Sequence, residues 1–259
     1  MTVLLEIFVF IFGAVFGSFM NVCVHRIPKG ESIVRPASHC PECLKPIAWF
    51  DNIPLVSFLA LRARCRHCGT KIAARYFLIE LITAGSWLWL FEIYGPSPFF
   101  LAGIILFSIL IAVTATDFET GFIPDKLTFP GMAAGVLLSV LFPVLHGEAA
   151  RHLGLLRSLF GFGTGGGILL GIALLGNLIF KKDSMGGGDI KLAAMMGAFL
   201  GFEKTLLVLL FAPLAAVPFA RYMKFTKKAE TIPFGSFLAL SGALLFIYGV
   251  WIGTKLFYF

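Results

Sequence analysis

The sequence predicts an all-α polytopic membrane protein of about eight transmembrane helices. A small cytoplasmic, zinc-ribbon-like loop domain is expected between helices 1 and 2. Three observations carry this. Hydrophobic residues make up 58% of the 259, charged ones only 14%, and mean hydropathy is +0.91. A soluble domain of this size needs far more polar surface. The apolar runs are continuous rather than alternating, which favours helices over a β-barrel, and they are long enough to span a core of ~30 Å. Four of the five cysteines fall in one polar loop.

The expected spans are 3–24, 77–94, 99–116, 127–145, 155–180, 190–202, 205–220 and 235–254. The 29 Phe residues suit a lipid-facing surface. The first span does not read as a cleaved signal peptide. Glu6 stands where a basic region belongs, and His25 and Arg26 follow the span at once. The loops then alternate between two sides. Of the 21 basic residues, all but Arg151, Arg157, Lys204 and Lys255 fall on one side. The positive-inside rule makes that side cytoplasmic and places both termini outside. The net charge of +7 therefore describes a face beside anionic lipid, not a nucleic-acid-binding surface.

The loop after the first helix is the only one long enough for a small domain. It holds Cys40-Pro41-Glu42-Cys43 and Cys65-Arg66-His67-Cys68. Each C-x-x-C puts two thiolates on one tight turn, and two such turns complete a tetrahedral S₄ zinc site. A metal would supply stability that so short a loop lacks. The alternatives are two disulfides, disfavoured by a reducing compartment, and other thiol chemistry. His39 and His67 adjoin the cysteines as spare ligands. Cys23 reads as a packing residue in the first helix. Between the knuckles, residues 49–57 read as a turn resting on the membrane through its aromatics, or gripping an apolar peptide.

Two carboxylates stand at membrane edges, Asp117 and Asp189. Such placement costs roughly 2.5–3.5 kcal/mol by insertion scales, so a chain that carries two has a use for them. From Pro98 to Asp117 is roughly 28 Å of helix, which sets Asp117 near the cytoplasmic boundary. Asp189 is only about 21 Å of helix from Glu203, so it lies deeper, behind the glycines Gly186, Gly187 and Gly188. Paired, they can share a proton and activate water. Other acids have plainer readings. Asp125 follows Pro124 and is expected to cap the next helix. Asp183 is a loop charge, and Glu119 is solvated. Lys191 is expected either to neutralise Asp189 or to snorkel to the surface.

The run Gly161-Phe162-Gly163-Thr164-Gly165-Gly166 matches G-x-G-x-x-G but lies inside an apolar helix, so a dinucleotide site fails on context. It reads as overlapping small-xxx-small pairs, Gly161 with Gly165 and Gly163 with Gly167.

Taken together, these motifs resemble the type IV prepilin peptidases, bifunctional GxGD-type aspartic proteases of the bacterial inner membrane. The resemblance runs through Gly17-Ser18-Phe19-Met20-Asn21-Val22-Cys23-Val24-His25-Arg26-Ile27-Pro28 and the paired cysteine knuckles. It continues through Asn52-Ile53-Pro54-Leu55-Val56-Ser57, Asp117 to Ile123-Pro124-Asp125, Gly186-Gly187-Gly188-Asp189-Ile190-Lys191-Leu192, and Ile232-Pro233-Phe234-Gly235. It implies that Asp117 and Asp189 are catalytic and that Asp125 is a recurrent, non-catalytic position. Asn21 and Arg26 are expected to orient the leader or a methyl donor, with Gly186, Gly188 and Lys191 in support. It further implies a prepilin or pseudopilin substrate, and N-methylation of the new terminus with S-adenosylmethionine, for which no donor motif is legible. The implied organisation is a first helix at 1–25, a cysteine-rich domain at 26–76 and a membrane-embedded peptidase domain at 77–259. The rival classes are a transporter or scaffold with an aspartate ion pathway, and a presenilin-like protease. The cysteine loop and the motif order disfavour the second.

Overall fold

The structure is a computed structural model that describes residues 2–181, 185–226 and 233–257. Lys182, Asp183, Lys227, Lys228 and Ile232 lie outside them. The regular elements among the described residues are helices, and the β structure among them is two isolated bridges. Five of the helices are long and apolar enough to cross a membrane: Val3–Arg26, Ala74–Tyr94, Pro98–Thr120, Arg151–Phe180 and Gly187–Tyr222. The chain divides into two compact units, Met1–Pro96 and Ser97–Phe259.

In the first unit, α1 (Thr2–Arg26) and α3 (Ala74–Tyr94) pair antiparallel, with the short α2 (Val56–Ala60) in the loop between them. α1 ends two residues before Pro28, which cannot continue a helix. Small residues let the two backbones approach. A Cβ on Gly13 would lie 2.8 Å from the Ala84 Cα, and one on Gly17 would lie 2.8 Å from the Glu80 Cα. One turn further on, Asn21 Nδ2 donates to the Tyr76 carbonyl at 2.9 Å. Cys23 is buried in α1, as a packing residue should be.

The second unit contains α4 (Pro98–Thr120), α5 (Asp125–Leu141), α6 (Arg151–Phe180), α7 (Gly187–Thr226) and α8 (Phe234–Phe257). Ser97 caps α4 by accepting the Phe100 N–H at 3.3 Å, and Pro98 stands at its first turn. Gly121, in the left-handed conformation at φ 64°, ends it. α7 has 40 residues, or about 60 Å of helix, twice a bilayer core. It is broken at Gly201, where φ is 76° and ψ 178°. The spans expected at 190–202 and 205–220 are its two arms. Three contacts trace them. Gly235 and Gly242 of α8 face Asp189 and Met196 of the first arm, so α8 runs parallel to it. The Phe237 ring lies 5.3 Å from that of Phe219, so the second arm has come back to the level of Asp189.

The glycine run of α6 packs differently from expectation. Gly161 abuts the Gly197 carbonyl, and Gly165 abuts the Ala193 carbonyl. Gly163 and Gly167 face open space. The buried face of α6 is instead Gly154, Ser158, Gly161, Gly165, Leu169 and Ala173, spaced by three and four residues. Positions 163 and 167 are two residues out of phase with it. Gly161→Ala should therefore destabilise the protein by about 1–3 kcal/mol through overpacking. Gly163→Ala should leave it unchanged or slightly more stable. Thermal unfolding in detergent separates the two.

Candidate active site

Asp117 and Asp189 come from helix ends that meet at the start of α8. Asp117 is buried in the last turn of α4, and Asp189 is partly exposed in the first turn of α7. A Cβ built on Gly235 would lie 3.1 Å from Asp117 Oδ2 and 3.1 Å from Asp189 Oδ1. The two oxygens are thus within twice that distance of each other, across a glycine with no side chain.

Ile123 holds this junction closed. It is buried, and a Cβ on Gly188 would fall 2.8 Å from the Ile123 Cβ. A Cβ on Gly235 would strike the Ile123 Cδ1. Gly186 is less constrained, its Cβ position being 3.5 Å from Asp189 Oδ2. Gly187 and Gly188 form the first turn of α7 rather than an irregular loop at membrane depth. Two residues of the junction were not legible beforehand. In the sequence Ile123 is only one residue of a motif, and nothing marks Ser236. The Ser236 N–H and Oγ both donate to Asp117 Oδ2, each at 3.0 Å. A carboxylate in the last turn of α4 faces the negative end of that helix, and the α8 N-terminus offsets this.

Two expectations are corrected. Asp125 does not cap α5; the cap position is Pro124, and no side chain bonds there. Asp125 instead accepts Lys191 Nζ at 2.6 and 2.8 Å. Lys191 therefore does not neutralise Asp189. Asp125 opens α5 and Asp189 lies in the first turn of α7, and Lys191 reaches the one that leaves it half exposed, where desolvation costs less. The same ammonium lies 5.5 Å from the centre of the Phe129 ring.

The cysteine loop belongs to the first unit. The Sγ atoms of Cys40, Cys43, Cys65 and Cys68 all lie within 4.8 Å of one another. Cys40 and Cys68 are 3.8 Å apart, the edge of a tetrahedron with bonds of ~2.3 Å and far beyond a disulfide of ~2.05 Å. The cluster fits a metal, and no disulfide joins the described cysteines.

The knuckles repeat one design. The Cys40 N–H donates to the Lys45 carbonyl and the Leu44 N–H to the Cys40 carbonyl. In the second, the Cys65 N–H donates to Thr70 and the Gly69 N–H to Cys65. Leu44 and Gly69 both take positive φ, 58° and 72°. The N–H groups of Cys68 and His67 draw the Cys65 thiol down to about 7. Although the Lys45 N–H favours a Cys43 thiolate, desolvation and the neighbouring thiols push Cys43 up to about 11.

The segment between the knuckles is tied at both ends. Arg66 makes a two-pronged bond to Asp51, at 2.7 and 2.6 Å, and holds that carboxyl below its usual range. Glu80 of α3 accepts the Leu55 N–H at 2.8 Å. Trp49 stays 81% exposed, free to meet an apolar surface. Asn21 and Arg26 are buried beside this loop. Arg26 Nη1 donates to the Ser32 carbonyl, and Asn21 Oδ1 has no partner among the described residues. Cys40→Ser should abolish tight metal binding and unfold the loop, read by metal content and by proteolysis at residues 26–73. Unchanged metal content would remove the site.

Comparison with known proteins agrees with the motif order. Residues 11–94 match the bacterial peptidase A24 N-terminal domain, and residues 104–221 match the type IV leader peptidase family. A prepilin leader peptidase/N-methyltransferase of Klebsiella pneumoniae is 39% identical over 215 residues, 81% of this chain and 91% of that protein. One from Burkholderia pseudomallei (strain 1026b) is 34% identical over 270 residues, 93% and 85% respectively. One from Myxococcus xanthus is 39% identical over 209 residues, 81% of this chain but 60% of that longer protein. No solved structure matches. By motif order, by both family matches and by these relatives, the chain belongs to the type IV leader peptidase family.

Proposed function

We propose that this membrane protein cleaves the leader of type IV prepilins or pseudopilins and then N-methylates the new N-terminus. The observation that carries the cleavage reading is the convergence of Asp117 and Asp189 on the bare Cα of Gly235. Two carboxyls so placed share one proton. The ionised one takes a proton from water, whose oxygen attacks the scissile carbonyl. The protonated one gives its proton to the carbonyl oxygen. Collapse of the tetrahedral species breaks the C–N bond, and a proton passes to the leaving amine. No covalent enzyme intermediate is needed.

The substrate has an apolar helix that rests in lipid and a leader that reaches the basic face of the enzyme. That face is cytoplasmic by the positive-inside rule, in a bacterial inner membrane with both chain termini outside. Zinc is the metal that four thiolates in a tetrahedron favour, with Cys40, Cys43, Cys65 and Cys68 as ligands and a structural role. S-adenosylmethionine would supply the methyl group. The names of the relatives support this second activity.

The test follows the mass of a prepilin in membranes or detergent. Cleavage removes the leader, and added donor then adds one methyl. An unchanged mass with a folded enzyme sinks the reading. Ion flux without cleavage would favour a transport role for the same aspartates.

A further inference from the structure

The two carboxyls of the dyad are not equivalent. Asp117 Oδ2 accepts both the N–H and the Oγ–H of Ser236, each at 3.0 Å. Ser236 is buried in the first turn of α8, a helix of 24 residues, so the positive end of that helix points at the same oxygen. No hydrogen-bond donor among the described residues reaches the Asp189 carboxylate. Its stabilisation comes from its own place in the first turn of α7. Donated hydrogen bonds favour the charged form of a carboxyl. Among the described residues, the charges next in sequence to the pair are Lys191, Lys126 and Glu119. Lys191 of α7 is bound to Asp125 of α5, while Lys126 and Glu119 are exposed.

We infer that Ser236 is a positioning residue that keeps Asp117 the ionised member of the dyad. Asp117 is then the group that accepts the proton from water, and Asp189 carries the shared proton to the carbonyl. This rests on the dyad reading above. It adds a division of labour that the two aspartates alone do not specify. Ser236 need not touch substrate, since it acts through one oxygen of Asp117.

The experiment combines pH–rate profiles of prepilin cleavage with chemical labelling. Ser236→Ala removes one of the two donors and keeps the backbone N–H. Its acidic limb should move up by about one pH unit. Ser236→Thr keeps the hydroxyl and should restore the limb. Labelling needs no activity: a water-soluble carbodiimide with an amine attacks protonated carboxyls, and mass spectrometry locates the product. In the wild type at neutral pH the label should fall on Asp189 ahead of Asp117, and in Ser236→Ala the preference should shrink. An unmoved acidic limb with a lowered plateau would reduce Ser236 to packing and overturn the assignment. So would labelling of Asp117 ahead of Asp189. Full cleavage by Asp117→Asn or Asp189→Asn is a separate outcome, because it removes the dyad itself.

Discussion

Asp117→Asn and Asp189→Asn should each slow leader cleavage by about a thousandfold or more. The amide matches the carboxylate in size, so neither change opens a cavity. It cannot carry the proton the reaction passes back and forth. In Asp117→Asn the amide oxygen can still accept from Ser236, so the α4–α8 junction should hold. Both variants should unfold at temperatures close to wild type while losing cleavage. The two losses should not add, since either one alone disables a shared proton. Methyl transfer to a pre-cleaved substrate should persist in both variants. Cleavage retained in either one would end the aspartate mechanism; lost methyl transfer would mean that the activities share a site.

Gly235→Ala should slow cleavage by about a hundredfold with both aspartates intact. The added methyl would strike Ile123 and would sit 3.1 Å from an oxygen of each carboxyl. Ile123 is buried and cannot retreat far, so the dyad must spread. A displacement near 1 Å is enough for a loss of that size. Gly171→Ala is the control, because a methyl there meets nothing within 4 Å. Kinetics separate the mechanisms: a spread dyad lowers kcat and leaves KM nearly unchanged, since the leader does not need the missing space to bind. A wild-type rate in Gly235→Ala would mean that the two carboxyls need not be so close.

The aspartates stood out as costly carboxylates at membrane edges, but the surrounding motifs, not their own spacing, marked them as a pair. The cysteine cluster was legible because its spacing is local to two short turns. Partner choice was not legible. Lys191 stands two residues from Asp189, but helical direction sends its long side chain to Asp125. Ser236 was hidden for a related reason. A serine at a helix start reads as a local cap, and its true acceptor lies 119 residues earlier. The phase of the α6 glycines was open too, because Gly161, Gly163, Gly165 and Gly167 offer two registers. Only the carbonyls of Ala193 and Gly197 select one. The break in α7 was anticipated as two spans, because Glu203 and Lys204 interrupt the apolar run. That Gly201 supplies the bend could not be read from composition.

The junction at Gly235 also orders the protein's own biosynthesis. Asp117, Asp189 and Ser236 arrive in that sequence from the ribosome. A nascent chain inserted only through the second aspartate has both acids but lacks the helix start that seats them. On the proposed mechanism, cleavage waits until α8 docks.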